Sequence, residues 1–181
     1  MTKGKSRKNG RNHYLEFTHA YSNTSITSPA PAAQKNGTES SRTSRRYTRN
    51  MTELDLFNIL KLCYMTDLEK SESKYSRFDC YSNKWNMDIE LKCRRKHYDD
   101  LLIEKEKYDA LIDRASKQGR RAFYINSTPE GIYAFNLSAI TELEWQMKGG
   151  LPRTTDFPDK RKMVKEVAFL PIELAKRLDE E

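Results

Sequence analysis

The chain has 181 residues, 36% of them hydrophobic and 33% charged, with a formal net charge of +7. That leaves room for one ordinary domain and a tail, and its modest apolar content excludes a chain that is packed core throughout. No run approaches the roughly 18 apolar residues of a membrane-spanning helix. The opening Met-Thr-Lys-Gly-Lys-Ser-Arg-Lys lacks the apolar stretch of a secretory leader.

The basicity is concentrated at one end. Residues 1–50 carry 10 Lys and Arg against Glu16 and Glu39, whereas residues 51–181 carry 23 against 24 Asp and Glu. The first fifty residues show no hydrophobic period and include Pro29-Ala30-Pro31. They read as a disordered basic tail, followed by a domain over 51–181. Such an arm suits nucleic acid, because each phosphate contact releases counterions, and Arg45 and Arg46 are candidate contacts. A solubilising tail or a localisation signal would have the same composition. Cys63, Cys80 and Cys93 form no C-x-x-C pair, so neither a zinc site nor a disulfide framework is expected. Each is expected to be a buried thiol in a reducing, cytoplasmic setting.

Order is expected to begin at Thr52, a helix cap with Glu53 and Asp55 favourable in the first turn. Leu56, Ile59, Leu60 and Cys63 then recur with helical spacing, and the helix is expected to run to about Lys70. Two strands follow, Tyr75–Tyr81 and Met87–Cys93, joined by the turn Asn83-Lys84-Trp85-Asn86. In the second strand Met87, Ile89 and Leu91 point one way and Asp88, Glu90 and Lys92 the other. After Leu101-Leu102-Ile103, a second helix is marked by Tyr108, Leu111, Ile112 and Ala115, with Gly119 as its stop. Strands Ala122–Ile125 and Ile132–Leu137 flank the turn Thr128-Pro129-Glu130-Gly131. Residues 138–160 give no clear pattern. Lys162–Leu170 reads as a last strand and Glu173–Leu178 as a short terminal helix. The order implies an α/β or α+β domain with a mixed sheet covered by helices.

One constellation carries chemistry. Glu90 and Lys92 project from one face of a strand, and an 11-residue offset across a short turn can set Asp79 beside Glu90. Adjacent carboxylates repel, and a hard divalent cation relieves that repulsion. Mg2+ is held by one or two carboxylates plus waters and substrate phosphate. Lys92 beside them can orient a water or stabilise developing negative charge. Asp88 shares the face of Glu90 and rivals Asp79. The plain alternative is the solvated face of a half-exposed strand, with Glu90 and Lys92 a weak surface pair.

The pattern Asp79 … Glu90-Leu91-Lys92, placed between two helices, resembles the PD-(D/E)XK nuclease superfamily, which includes restriction endonucleases and Holliday-junction resolvases. Phe78 stands where the motif's name has Pro. The resemblance covers roughly Thr52–Leu137, and the stretch Asp88–Leu111 is similar to phage-encoded members. It implies a restriction-endonuclease-like fold: a helix, a three-stranded hairpin layer, a helix and a further strand. It also implies catalysis by Asp79, Glu90 and Lys92, with Mg2+ or Mn2+ held by Asp79 and Glu90. Members add an acid from the first helix, for which Glu69 is the candidate, and a polar residue from the second, for which Lys105 or Lys107 is the candidate.

The expected activity is metal-dependent hydrolysis of DNA by an endonuclease in the cytoplasm or, for a phage protein, the virion, with a homodimer as one expected assembly. The alternatives are a non-catalytic nucleic-acid-binding or virion-associated protein on the same fold, and a protein-interaction domain with a basic arm. Arg94, Arg95 and Lys96 behind the motif are candidate phosphate contacts, though a solvated loop would look the same. His97 has no second histidine or cysteine near it and reads as a loop residue. Trp85 and Trp145 suit packing better than base stacking, and Gly149-Gly150 lacks the Lys-Ser/Thr of a phosphate-binding loop.

Overall fold

The computed structural model describes residues 51–72, 76, 78–153 and 161–179. The tail expected over 1–50, with Arg45 and Arg46, lies outside them.

Helix α1 spans Glu53–Cys63. Its start is fixed by a reciprocal cap: the Asp55 backbone N–H donates to Thr52 Oγ1 (3.2 Å) and the Thr52 N–H donates to Asp55 Oδ2 (3.0 Å). Two otherwise orphaned donors are thereby satisfied. Thr52→Ala should destabilise the domain by about 1 kcal/mol, read as a lowered thermal midpoint. An unchanged midpoint would show that tertiary packing alone sets this boundary.

The helix ends at Tyr64, short of the expected Lys70, because the chain is pulled back toward the turn at residues 83–86. Asp67 Oδ2 accepts from Ser82 Oγ and from the Lys84 N–H, both at 2.8 Å. Glu69 and Lys70 therefore form a short strand, β1. Antiparallel pairing continues from β1 to β2 (Cys80–Ser82) and from β2 to β3 (Met87–Cys93). The turn between β2 and β3 places Asn86 at φ 54°, a left-handed conformation that asparagine tolerates.

After β4 (Asp100–Glu104) comes α2 (Lys105–Lys117). Its end is marked by Gly119 at φ 63°. Strand β5 (Arg121–Thr128) then lies parallel to β3, and β6 (Gly131–Asn136) returns antiparallel to it. The central sheet has the order β1-β2-β3-β5-β6-β9, the last being Lys176–Arg177. The elements α1, β1–β3, α2 and β5 reproduce the helix, three-strand layer, helix and further strand expected from the resemblance. The fold is a mixed α+β one, with a central mixed sheet flanked by helices.

Both helices pack on β3. The core on the α2 side joins Leu111 and Ala115 to Ala122, Tyr124, Phe135 and, from the smaller sheet, Leu101, Ile103, Ala168 and Leu170. The odd-numbered β3 residues Met87, Ile89 and Leu91 are buried on the other face. There α1 supplies Leu56, Phe57 and Leu60.

Two C-terminal expectations are corrected. The unclear stretch after residue 138 contains β7 (Gln146–Pro152), which pairs with β8 (Lys162–Pro171) in a sheet ordered β4-β8-β7. The expected terminal helix at Glu173–Leu178 is a single 3-10 turn followed by β9 (Lys176–Arg177). Pairing with β6 outweighs local propensity here: Leu178 N–H donates to Ile132 O at 2.8 Å. Among the cysteines Cys80 is buried, Cys93 is half-buried and Cys63 is exposed. Cys63 departs from the expected burial because it ends α1 on the solvent side. No helix among the described residues is long and apolar enough to cross a membrane.

Candidate active site

The register Cys80↔Ile89 puts Asp79, one residue before β2, directly across from Glu90, and the Asp79 N–H donates to Ile89 O at 3.0 Å. Asp79 is fixed further by the Leu91 N–H, which donates to its Oδ2 at 2.7 Å. Burial raises the Glu90 carboxyl, and the charge of Asp79 acts directly on it and raises it further. Glu90 is 6% exposed, and its Oε2 is buried without a hydrogen-bond partner. Its Oε1 accepts from Lys107 Nζ of α2 at 2.6 Å. Lys92 lies two residues on along the same face, its Nζ 3.4 Å from Glu53 Oε1 at the first turn of α1. The residue before β2 and strand β3 thus set Asp79 and Glu90 across from each other, with Lys107 of α2 against Glu90 and the Lys92–Glu53 pair alongside.

The electrostatics follow from burial. Glu90 is pushed up to about 7, by desolvation first and by the charge of Asp79 second. Asp79 is also raised, with burial as the main cause and the Leu91 N–H opposing it. For Lys107, burial works to lower the ammonium's pKa, but Glu90 outweighs it and the net shift is upward.

These shifts have a defined sign for stability. A carboxyl raised from 4.5 to about 7 holds a proton in the folded state that the unfolded chain has released. The stability it contributes is complete below the unfolded value and is lost as pH rises through the folded one. The loss between pH 4.5 and pH 7.5 should be about 3 kcal/mol for Glu90, with Asp79 acting in the same direction. Denaturant melts in EDTA across that range should show it, and Glu90→Gln should flatten the dependence. A wild-type midpoint that does not fall with pH would contradict this picture of the pair.

The residues fit a divalent cation in one respect and limit it in another. An orphaned oxygen on a buried carboxyl, facing a second carboxyl, is a place where a hard cation would supply the missing partner. Among the described residues, however, no three His, Cys, Asp or Glu side chains converge on one point. An ion here would rest on Asp79 and Glu90, completed by water and substrate oxygens, which is the manner of Mg2+ rather than of a closed protein cage.

The other sequence candidates are distributed as follows. Glu69 does not join the cluster: it sits on β1 at the sheet edge and accepts from Tyr81 OH at 2.7 Å. The acid that the first helix delivers is Glu53. Its signal was visible as an acidic residue in the first turn of a capped helix, where it also suits the helix dipole. Asp88 is fully buried under the far end of α2, with Arg120 Nη1 at 2.9 Å and Arg114 Nε at 3.2 Å. Lys105 turns to Asp109 at 3.2 Å and lies over the ring of Trp145, so of the two α2 lysines Lys107 reaches the centre.

Arg94 faces inward. Its guanidinium donates to Asn126 Oδ1, Tyr124 OH and the Leu102 carbonyl, tying β3 to β5 and β4. Arg95 and Lys96 are exposed. His97 meets Thr128 Oγ1 at 3.0 Å through Nδ1. A cleft lined by Phe78, Ala110, Arg114 and Lys117 runs along α2 and includes none of Asp79, Glu90 and Lys92.

No protein-family model and no curated protein matches this chain. Among solved structures, the chain is similar to Hjc, a Holliday junction resolvase from the archaeal hyperthermophile Archaeoglobus fulgidus. The identity is 15% and the TM-score 0.40, over 61% of this chain and 76% of that one. At those values the likeness carries no functional argument.

Proposed function

We propose that this chain is a nuclease that hydrolyses phosphodiester bonds of DNA with Mg2+ or Mn2+ held by Asp79 and Glu90. The observation that carries the reading is the pairing of Asp79 with Glu90 across an antiparallel register, with one Glu90 oxygen buried and unpartnered and Lys92 on the same face. A cation held there would polarise a phosphoryl oxygen and lower the pKa of its water. The chain's own groups do the rest. Asp79 is oriented by the Leu91 N–H. Lys92, held by Glu53, is positioned to stabilise negative charge building on the phosphate or to orient the attacking water. Lys107 neutralises part of the charge that burial makes costly on Glu90.

One observation favours a second reading, a non-catalytic nucleic-acid-binding protein on the same fold: the ammonium of Lys107 already occupies Glu90 Oε1. The two readings separate cleanly. Titration calorimetry with Mg2+ and Mn2+, alongside nicking of supercoiled plasmid and cleavage of linear and branched duplexes, should show ion binding and ion-dependent cleavage. Absence of ion binding would leave the non-catalytic reading in its place.

A further inference from the structure

The smaller sheet outruns its support. β4 ends at Glu104, opposite Val167 of β8. β7 and β8 continue together past that point, from Met147 opposite Glu166 to Pro152 opposite Lys162. Residues 146–153 and 161–166 are all exposed or half-exposed. Among the described residues this two-stranded ribbon carries Lys148, Arg153, Arg161, Lys162 and Lys165 against one carboxylate, Glu166, and the connecting residues 154–160 add Asp156, Asp159 and Lys160 in sequence.

Its register breaks a rule of sheet design. Lys148 lies directly opposite Lys165, and like charges in that relation destabilise a strand pair. The pair is tolerated because Lys165 Nζ reaches Glu104 Oε2 at 2.9 Å and Lys148 Nζ lies 4.9 Å from the centroid of the Phe169 ring. The ribbon thus keeps a concentration of positive charge that strand pairing alone would disfavour.

The ribbon is anchored on α2, the helix that delivers Lys107 to Glu90. Trp145, just before β7, packs edge-on to Tyr108 of α2 at 5.3 Å. Glu104, which holds Lys165, is the last residue before α2, and one turn further on Lys107 grips Glu90. Lys165, Glu104, Lys107 and Glu90 thus form a row of neighbouring charges from ribbon to carboxylates. A two-stranded ribbon also has the width that the major groove of duplex DNA admits.

We propose that the β7–β8 ribbon is a duplex-binding arm whose Lys148, Arg153 and Lys162 contact backbone phosphates flanking the bond at the Asp79–Glu90 centre. The inference rests on the reading of that centre as one that acts on DNA, but its test does not need cleavage.

Full-length Glu90→Gln protein in EDTA is titrated against a fluorescein-labelled duplex at several KCl concentrations, with and without Lys148→Gln, Arg153→Gln and Lys162→Gln together. The triple change should weaken binding about tenfold or more at moderate salt. It should also make the slope of log K against log salt shallower by about 2 to 3, since each phosphate contact contributes about 0.9. Lys148→Arg with Lys162→Arg should bind like the parent, which separates charge from misfolding. Affinity and slope unchanged by the triple variant would overturn the arm while leaving the nuclease reading intact. A parent protein that binds no duplex at all would sink both. If sedimentation shows a dimer that the triple change dissociates while DNA affinity holds, the ribbon is a contact between two copies and the proposal is wrong.

Discussion

Lys92→Ala should lower plasmid cleavage by on the order of 10²–10³-fold and leave divalent-ion affinity unchanged or slightly higher. The two carboxyls that would hold the ion are untouched, while a positive charge next to them disappears. Glu90→Gln should give the complementary pattern: calorimetric ion binding lost, cleavage lost with it, and the fold retained, because the amide keeps the shape of a side chain packed at 6% exposure. Asp79→Asn should follow Glu90→Gln, with the Leu91 N–H still satisfied by the amide oxygen. Glu53→Gln should have a smaller effect on ion binding, because Glu53 meets Lys92 rather than the carboxyl pair. Rapid cleavage by Glu90→Gln, or loss of ion binding in Lys92→Ala, would show that the roles are distributed differently.

Asp88→Ala should be the most destabilising of the charge changes, by about 3 kcal/mol or more. Asp88 is fully buried and faces two guanidiniums. Removing it takes the carboxylate from Arg120, whose side chain is 15% exposed and keeps Asn83 Oδ1 as an acceptor, and from Arg114, which among the described residues keeps the ring of Phe78. Ion affinity per folded molecule should be unchanged, since Asp88 pairs away from the centre. Equilibrium urea unfolding beside ion titration distinguishes the two readouts. A variant as stable as wild type that no longer binds ion would place Asp88 among the ion's ligands after all.

The contrast between Asp88 and Glu90 shows what the sequence did and did not disclose. Strand alternation put both on one face, and that is where the structure has them. Alternation could not say which of the two would meet Asp79, because that depends on the antiparallel register, nor which would be matched by Arg114 of α2 and by Arg120 beyond its end. The helix cap at Thr52, the β5–β6 turn and the stop at Gly119 were legible because each depends on residues within four positions of one another. Glu53 was legible only as a favourable first-turn charge: its approach to Lys92 spans 39 positions. Arg94 was read as a phosphate contact because a run of three cations suggests solvent, but the carbonyl and hydroxyl that hold it inward come from β4 and β5. β7 escaped notice for a related reason. Its residues are exposed on both faces, so no alternation of polar and apolar side chains marks it as a strand.

The placement of β3 between two helices makes the short turn before it a point of unusual intolerance to length. Substitutions at Lys84, an exposed position, should be absorbed readily. An inserted or deleted residue would be different. A shift of one position in β3 would exchange its faces, driving Asp88, Glu90 and Lys92 into the layer of Leu56 and Leu60 and turning Met87, Ile89 and Leu91 toward the lysines and arginines of α2. Packing and the Asp79–Glu90 pairing would fail together. Loop grafts and circular permutations therefore belong elsewhere in this domain, and variation in length among functional descendants should be sparse between Ser82 and Met87.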